Sequence, residues 1–249
     1  MIRLQRTPAP KDWSGRVKKV LTNYAEYLDR AKEFEEMDLN SAARRAGFAG
    51  FAGALLPKRK GQAYFPSAWG KVKEDLWEMS RGKCAYCEGG INASRLGQVE
   101  HFRPKSLFPV LAYEWENYFL ACGGCNGAKS DQWPRDGGYL RPDEGNPAAE
   151  LRFETDGTVK AERAGSEAEV TIEHFDLRRK WLVRRRKKLI EQMLGRLRDF
   201  EEMYRESREM GRKYAERERG RVSDPEGAYS AALTQCFSRE WERVSSGAE

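Results

Sequence analysis

Four of the five cysteines in the chain stand in two closely spaced pairs. Cys84 and Cys87 form one C-x-x-C motif in "GKCAYCEGG", and Cys122 and Cys125 form a second in "LACGGCNGAK". Two such turns can supply four thiolates to one tetrahedral zinc ion. Because four sulfurs fill the coordination sphere of zinc, we expect a structural zinc site rather than a catalytic one. The alternatives are buried cysteines paired by chance and a redox motif of the thioredoxin type, and neither accounts for two matched pairs.

The stretch "VEHFRPKS" between the two cysteine pairs holds one of only two histidines. His101 has a reference pKa of about 6.5, so its neutral ring can take a proton from water at neutral pH. Hydrolysis of a phosphodiester needs such a base and a group that stabilises negative charge. The Glu100 carboxylate and the Asn126 amide supply the oxygen ligands that Mg²⁺ or Mn²⁺ prefers. The alternative for Glu100 and His101 is an incidental surface pair, and the second histidine, His174, is expected to be a structural polar residue.

The residues around this pair suggest how it would be held. Adjacent strand residues point to opposite faces, so Glu100 and His101 can reach one ion only at a bulge or a strand end. Asn117 is predicted to hydrogen-bond the loop after the first strand and hold the His101 ring in place, although it would also suit a turn cap. Arg103 and Lys129 are candidates for contact with phosphate, with a solvated Lys129 as the alternative.

The order of these motifs resembles that of the HNH endonucleases, the ββα-metal nucleases in which zinc knuckles often flank the active site. The resemblance is specific between about residues 80 and 132, where it rests on "CAYCE", "VEHFRPKS", "ENYFLACGGC" and "CNGAKS". Within that family the chain resembles the HNH proteins of Septu-type and retron-linked anti-phage systems, and this resemblance extends more loosely to about residue 190. The last histidine of the family name is Asn126 here, which would bind a metal through its amide oxygen.

The resemblance implies both a fold and an activity. A first strand would end at Glu100 and His101. A second strand would lead into the second knuckle, the turn at Cys122 and Cys125, and the following helix would begin near Asn126. His101 would be the general base, and Glu100 and Asn126 would hold Mg²⁺ or Mn²⁺. The resemblance also implies DNA as the substrate and an ATPase partner that gates the nuclease during phage defence.

The segments around these motifs predict an α+β protein that is mainly helical around a small ββα-metal core with a structural zinc site of four cysteines. Residues 1–70 are predicted to form an N-terminal helical region, residues 71–140 the nuclease core, and residues 141–249 a β-hairpin followed by a basic helical region. Helical spacing over residues 12–56 ends at Pro57. A helix over 67–80 leads into the first knuckle, the turn at Cys84 and Cys87. Asp156-Gly157, between two alternating runs, predicts a hairpin of type I′ character.

From residue 171 onward, apolar residues recur at spacings of three, four or seven, which is typical of a helix with one buried stripe. The run "RRKWLVRRRKK" at 178–188 holds eight basic residues and no acidic residue. We expect this run to follow a phosphate backbone, while a solvated helix face is the alternative. The candidate DNA-binding residues of the run are Arg184, Arg185, Arg186 and Lys187.

The composition of the 249-residue chain limits its possible classes. The net charge of +6 weakly favours a polyanionic partner. Charged residues make up 34% and aromatic residues 11%, which argues against a disordered polyelectrolyte and against a membrane protein. The N-terminus lacks the apolar stretch of a secretory signal, so the cytoplasm is the expected compartment. Cysteines in a reducing compartment are read as metal ligands rather than disulfides, and the unpaired Cys236 is expected in the core.

Three functions are consistent with these patterns. The first is a metal-dependent HNH endonuclease that cuts or nicks DNA in anti-phage defence together with an ATPase. The second is a non-catalytic, zinc-stabilised module that binds nucleic acid or protein. The third is a restriction-type or RNA-directed HNH nuclease that works alone. Cleavage that depends on a divalent ion separates the two nucleases from the binding module.

Overall fold

The computed structural model describes residues 1, 3–21, 23–36, 47–48, 50–52, 55–60, 62–92, 97–135 and 137–246. No helix within these ranges is both long enough and apolar enough to cross a lipid bilayer. Much of the small-residue segment at 41–57, which belongs to the predicted N-terminal helical region, lies outside them.

The N-terminal part of the chain is helical around an aromatic core. It contains α1 (Trp13–Val20), α2 (Tyr24–Glu36), and a short ladder of β1 (Lys58–Arg59) with β2 (Gln62–Ala63). A 3₁₀ turn over Trp69–Val72 continues into α3 (Lys73–Met79), within the span predicted for one helix. Val72 and Leu76 are buried, whereas Trp77 is half-buried and its indole donates a hydrogen bond to the Ile91 carbonyl.

Two short strands and a helix follow in the middle of the chain. The strands β3 (Gln98–His101) and β4 (Tyr118–Ala121) pair antiparallel, with Glu100 opposite Phe119 and His101 opposite Tyr118. Two 3₁₀ turns, Pro109–Tyr113 and Trp115–Asn117, lie between them. All four residues of β4 are buried, and the chain passes through Cys122 into α4 (Gly123–Lys129). This strand-strand-helix unit holds the motifs on which the nuclease resemblance rests.

The predicted hairpin is present, but its turn is not of type I′. Strands β5 (Leu151–Phe153) and β6 (Val159–Ala161) pair antiparallel with Phe153 opposite Val159. A type I′ turn needs positive φ at both central residues, whereas Gly157 alone has it here, at +85°. Hydrogen bonds from Gly157 N to Glu154 O and from Glu154 N to Thr158 O close a longer loop. A Cβ at Gly157 would also clash with the Val183 carbonyl, so glycine is required by both conformation and packing.

The C-terminal part consists of four helices: α5 (Glu167–His174), α6 (Lys180–Glu206), α7 (Arg208–Val222) and α8 (Ser230–Ser246). The long α6 carries the apolar stripe predicted from its spacing. Three members of the stripe are buried and three are partly buried: Leu182, Met193 and Leu197, and Leu189, Phe200 and Tyr204. Ser207 accepts a hydrogen bond from Met210 N and thereby caps α7, which packs back against α6.

Three hydrophobic clusters hold these elements together. The first joins the knuckles to the hairpin, α5 and the start of α6, the second joins the N-terminal helices to β4, and the third lies among α6, α7 and α8. Helices and small antiparallel sheets confirm the α+β prediction. The first two clusters contain residues from both sides of the boundaries predicted at residues 70 and 140, and the division into three regions remains a prediction.

Candidate functional site

The four paired cysteines converge on one point. Cys84 and Cys87 lie in the turn after α3, while Cys122 directly follows β4 and Cys125 lies in the first turn of α4. Their sulfur atoms all lie within 4.8 Å of one another, and the Sγ atoms of Cys87 and Cys122 are 3.8 Å apart. Zinc–sulfur bonds of about 2.3 Å place the sulfurs of a tetrahedron about 3.8 Å apart. The cluster therefore fits a zinc ion with four protein ligands, and it leaves no position for a reacting water.

One arginine offsets part of the charge of this cluster. Zinc with four thiolates carries a net charge of about −2. The Arg179 guanidinium donates to the Sγ atoms of Cys125 and Cys122 at 3.3 and 3.6 Å. It also donates to the carbonyls of Phe175 and Asp176, so its position is fixed by the backbone just before α6. Such hydrogen bonds from the surrounding shell orient the ligands and offset their charge.

Glu100 is buried within the strand-strand-helix unit and is fully engaged there. Its Oε1 lies 2.5 Å from the Lys129 Nζ, and both side chains are 1% exposed. Its other oxygen accepts a hydrogen bond from the Tyr86 hydroxyl. Burial, with the Glu100 charge as the next cause, raises the pKa of Tyr86 well above its usual value, so the hydroxyl stays a donor. Lys129 also donates to the His101 carbonyl at 2.7 Å, which ties α4 to the end of β3.

His101 lies on the opposite side of β3 from Glu100. Its ring meets the rings of Trp69 and Tyr118 edge-on, with centroids 4.8 and 5.0 Å away. Its Nε2 lies 3.2 Å from the Ala112 carbonyl, which can only accept a hydrogen bond, so Nε2 carries the proton and Nδ1 holds the lone pair. Burial, followed by the charge of Lys105, lowers the pKa of His101 well below its usual value. The ring is therefore neutral at pH 7, with Nδ1 as its basic atom.

Asn117 holds the loop that follows β3. Its side-chain oxygen accepts from Arg103 N at 2.8 Å, and its side-chain nitrogen donates to the carbonyls of Arg103 and Leu111 at 3.0 Å each. These bonds fix the backbone at Arg103 and at Leu111, the residue directly before Ala112, whose carbonyl is the partner of His101. The backbone contacts are those predicted from the sequence, and a part in catalysis remains a prediction.

The two predicted ligands of a divalent ion are not brought together with His101. Both oxygens of Glu100 are taken by Lys129 and Tyr86, and an ammonium group stands where a second cation would have to bind. The Asn126 amide donates to the Gln98 side-chain oxygen at 2.8 Å, and Gln98 lies two residues before Glu100 on the same face of β3. No bulge interrupts the pairing of β3 with β4, so strand alternation keeps Glu100 and His101 apart. The residues in this arrangement do not fit a catalytic Mg²⁺ or Mn²⁺ ion.

The residues predicted to contact phosphate occupy different positions. Lys129 is buried in its pair with Glu100, and this position does not suit a contact with phosphate. Arg186 is 3% exposed and donates to the Leu177 carbonyl, so it too is turned away from solvent. Arg103 is exposed beside the rings of Phe108 and Trp133 and lines a cavity of about 510 Å³. The remaining predicted residues, Arg184, Arg185 and Lys187, are exposed on α6.

Several neighbours of the site were not singled out from the sequence. The Lys105 Nζ lies 5.3 Å from the centroid of the Trp69 ring, the same ring that His101 touches. Lys105 belongs to the quoted stretch "VEHFRPKS", so its place in the motif was a usable signal. Trp69 comes from a distant turn and carried no signal, because its contact with His101 depends on tertiary packing. Tyr86 lies between the first two cysteines, and the C-x-x-C spacing predicts a role for the sulfurs but none for the residues between them.

Comparison with known proteins gives two similar chains. The chain is 36% identical over 90 residues to a Septu protein PtuB from Bacillus thuringiensis, and the match covers 35% of each chain. It is 28% identical over 148 residues to a Septu protein PtuB from Bacillus mycoides strain KBAB4, covering 47% of this chain and 50% of the relative. The chain thus spans at most half the length of these curated relatives. No family model matches the chain, and no solved structure matches it.

These similarities confirm the resemblance to Septu-type proteins, and the sulfur geometry supports the predicted four-cysteine metal site. Assignment to the HNH nucleases and catalysis remain predictions.

Proposed function

We propose that the chain is a phosphodiester-hydrolysing nuclease of Septu-type anti-phage defence, with His101 as its general base. We further propose that DNA is its substrate and that an ATPase partner controls it. The defence role rests on the similarity to the two PtuB proteins. The partner and the substrate rest on the sequence resemblance to HNH nucleases.

The observation that carries the proposal is the hydrogen bond at His101. The Ala112 carbonyl fixes the proton on Nε2 and leaves Nδ1 as a base. Among the described residues, no protein group bonds to Nδ1. A histidine that served only the core would be expected to satisfy both ring nitrogens. The free lone pair, next to a strand that the four-cysteine cluster braces, supports a role in proton transfer.

The reaction that this arrangement supports is attack of water on phosphorus. His101 Nδ1 removes a proton from the water as the new oxygen–phosphorus bond forms and the bond to the leaving 3′ oxygen breaks. Lys105, which contacts the same Trp69 ring, supplies positive charge on the His101 side of β3. Asn117 keeps the backbone that orients the imidazole in place. Because Glu100 and Asn126 do not form a divalent-ion site here, no step is assigned to Mg²⁺ or Mn²⁺.

The second candidate is a non-catalytic, zinc-stabilised binding module. It is favoured by the burial of Glu100, whose carboxylate is saturated by Lys129 and Tyr86 and so serves the fold. In that case the four-cysteine cluster would brace a surface for nucleic acid or protein, and cleavage would be absent under all conditions.

The deciding experiment is a nucleic-acid cleavage assay with the two histidines compared. Wild-type protein, His101→Ala and His174→Ala are brought to equal zinc content and incubated with plasmid and with RNA, alone and with a candidate ATPase. Mg²⁺ or Mn²⁺ is added or withheld in each case. His174 is the matched control because it is the other histidine, ends α5 and bonds to the Tyr139 hydroxyl at 2.8 Å.

We expect His101→Ala to lower the cleavage rate by about 100-fold or more, the usual contribution of a general base. His174→Ala should cleave at a rate close to that of the wild type. Equal rates in the two variants would remove His101 from the mechanism. A wild-type protein that is inert in every arm would favour the binding module.

A further inference from the structure

We propose that the groove between α6 and the first knuckle binds an unpaired nucleic-acid strand, with Trp181 stacked on a base and Arg184, Arg185 and Lys188 on phosphates. This inference deepens the proposed function, because it rests on nucleic acid as the substrate and names the form that is bound.

The groove has the size and the lining for such a ligand. Its volume is about 870 Å³. One wall consists of Trp181, Arg184, Arg185 and Lys188, which follow one another along the first turns of α6, and the other wall includes the turn at Cys87. The groove therefore runs beside the four-cysteine cluster, which holds its second wall rigid.

The three cations of the groove have no acidic partner among the described residues. Elsewhere on α6, Lys187 pairs with Glu191 at 3.7 Å, and Arg205 pairs with Glu201 at 2.9 Å. The side chains of Arg184, Arg185 and Lys188 form no ion pair or hydrogen bond with any described part of the chain. Uncompensated exposed cations along one helix face are the electrostatic feature that a phosphate backbone requires.

A simpler reason for these cations would be to balance the charge of a zinc–thiolate cluster. Arg179 already offsets part of this charge, since it donates to the sulfurs of Cys122 and Cys125. The buried Arg186 adds a second positive charge on the same helix as the groove cations. The exposed cations of the groove are thus available for a ligand outside the protein.

Trp181 indicates that this ligand has accessible bases. It is 52% exposed, although an indole of this size favours burial. The Arg179 guanidinium lies 4.5 Å from the centre of its ring and supports the ring from within the protein. A supported, exposed aromatic ring beside cations is the platform on which successive bases of a single strand stack. Bases of an intact duplex already stack on each other, so Trp181 distinguishes an unpaired strand from a double helix.

The test measures binding in a protein that does not cleave. Fluorescence anisotropy of His101→Ala protein, with no added Mg²⁺, is recorded for a labelled 20-nucleotide DNA strand, the same strand as RNA, and a hairpin duplex. Trp181→Ala, Trp181→Phe and a triple change of Arg184, Arg185 and Lys188 to Gln are compared in this background. Tyr214→Ala is the control, since Tyr214 is an exposed aromatic residue on α7.

We expect Trp181→Ala to weaken single-strand binding by about 5- to 100-fold, as for the loss of one base stack. Trp181→Phe should restore most of the affinity, and binding of the duplex should not change. The triple variant should reduce the slope of log affinity against log salt by about 2, since three phosphate contacts on a single strand contribute about 0.7 each. Preference for DNA or RNA in the single-strand arms identifies the natural ligand.

The inference is overturned if Trp181→Ala and Tyr214→Ala bind the single strands equally, or if the wild-type groove prefers the duplex. Failure here is distinct from failure of the nuclease proposal. Single-strand binding that depends on Trp181 in a protein that never cleaves would remove only the nuclease. Cleavage that depends on His101 and is unchanged in Trp181→Ala would remove only the groove.

Discussion

At the scale of single residues, the alternation of side chains along β3 decides what the site can do. Glu100 points toward α4 and is held by Lys129 and Tyr86, whereas His101 points toward Trp69 and the 3₁₀ turn that carries Ala112. One carboxylate therefore serves the interior of the strand-strand-helix unit, while the imidazole keeps a basic nitrogen. The two neighbours in the motif have separate tasks.

Loss of the lysine from the buried Glu100–Lys129 pair should strongly destabilise the folded protein. Lys129→Met leaves the Glu100 carboxylate buried with only the Tyr86 hydroxyl as a partner. Removing one member of a buried ion pair costs about 3–5 kcal/mol, and we expect the free energy of unfolding to fall by this amount. Urea denaturation followed by circular dichroism measures it.

The double variant Glu100→Gln, Lys129→Met should recover part of that loss, because no unpaired charge remains. Lys187→Met is the control, since Lys187 is exposed on α6, and it should change the free energy of unfolding by less than about 0.5 kcal/mol. A Lys129→Met protein as stable as this control would show that the pair does not hold the unit together.

Residue types and the order of the motifs predicted the four-cysteine cluster and the backbone contacts of Asn117. They did not predict the burial of Lys129 or Arg186. A basic residue on a helix is exposed or buried according to the face that meets the core, and here the pair with Glu100 and the bond to Leu177 decide. The run at 178–188 therefore divides into buried and exposed members that sequence alone treats alike.

At the scale of elements, the four-cysteine cluster joins the turn after α3 to the end of β4 and the start of α4. Binding of a structural zinc ion contributes directly to folding, because its ligands are not assembled in the unfolded chain. Cys84→Ser should therefore lose the zinc and disorder the packing of β3, β4 and α4. Elemental analysis and near-ultraviolet circular dichroism measure the two effects.

Cys236→Ser is the matched control for the loss of zinc. Cys236 is as buried as Cys84 but packs among α6, α7 and α8, away from the other sulfurs. We expect it to keep a full complement of zinc. A Cys84→Ser protein that also keeps its zinc would contradict a site of four cysteines.

Element types were more predictable than element ends. Periodicity gave the long α6 and the hairpin, since each depends on a local pattern. The predicted type of the hairpin turn was wrong because Gly157 packs against the backbone of α6. The local sequence carries no signal for this contact. The helix predicted over 67–80 begins as a 3₁₀ turn, and that turn brings Trp69 to His101.

At the scale of the whole molecule, the first knuckle links the C-terminal helices to the candidate site. The Glu88 carboxylate accepts a hydrogen bond from Ala231 N at 3.0 Å. The backbone carbonyl of Glu88 accepts another from Tyr229 N at 3.2 Å. Lys83 donates to the Pro225 carbonyl and lies 3.4 Å from the Ser230 Oγ. The segment before α8 is thus fastened to the knuckle that also forms one wall of the α6 groove.

Glu88→Ala should loosen this attachment and leave the four-cysteine cluster intact. The carboxylate stabilises the first turn of α8 by bonding a free N–H group, an interaction worth up to about 2 kcal/mol when partly buried. Amides of that turn should then exchange hydrogen about 5- to 30-fold faster, the factor that corresponds to 1–2 kcal/mol. Exchange in β3 and β4 should not change, and zinc content should stay at the wild-type level.

Glu242→Ala, an exposed change on α8, is the control. Equal exchange in both variants would mean that the Glu88 carboxylate does not hold the first turn of α8 and that the remaining backbone, Lys83 and apolar contacts suffice. Loss of zinc in Glu88→Ala would show that the C-terminal helices support the knuckle itself.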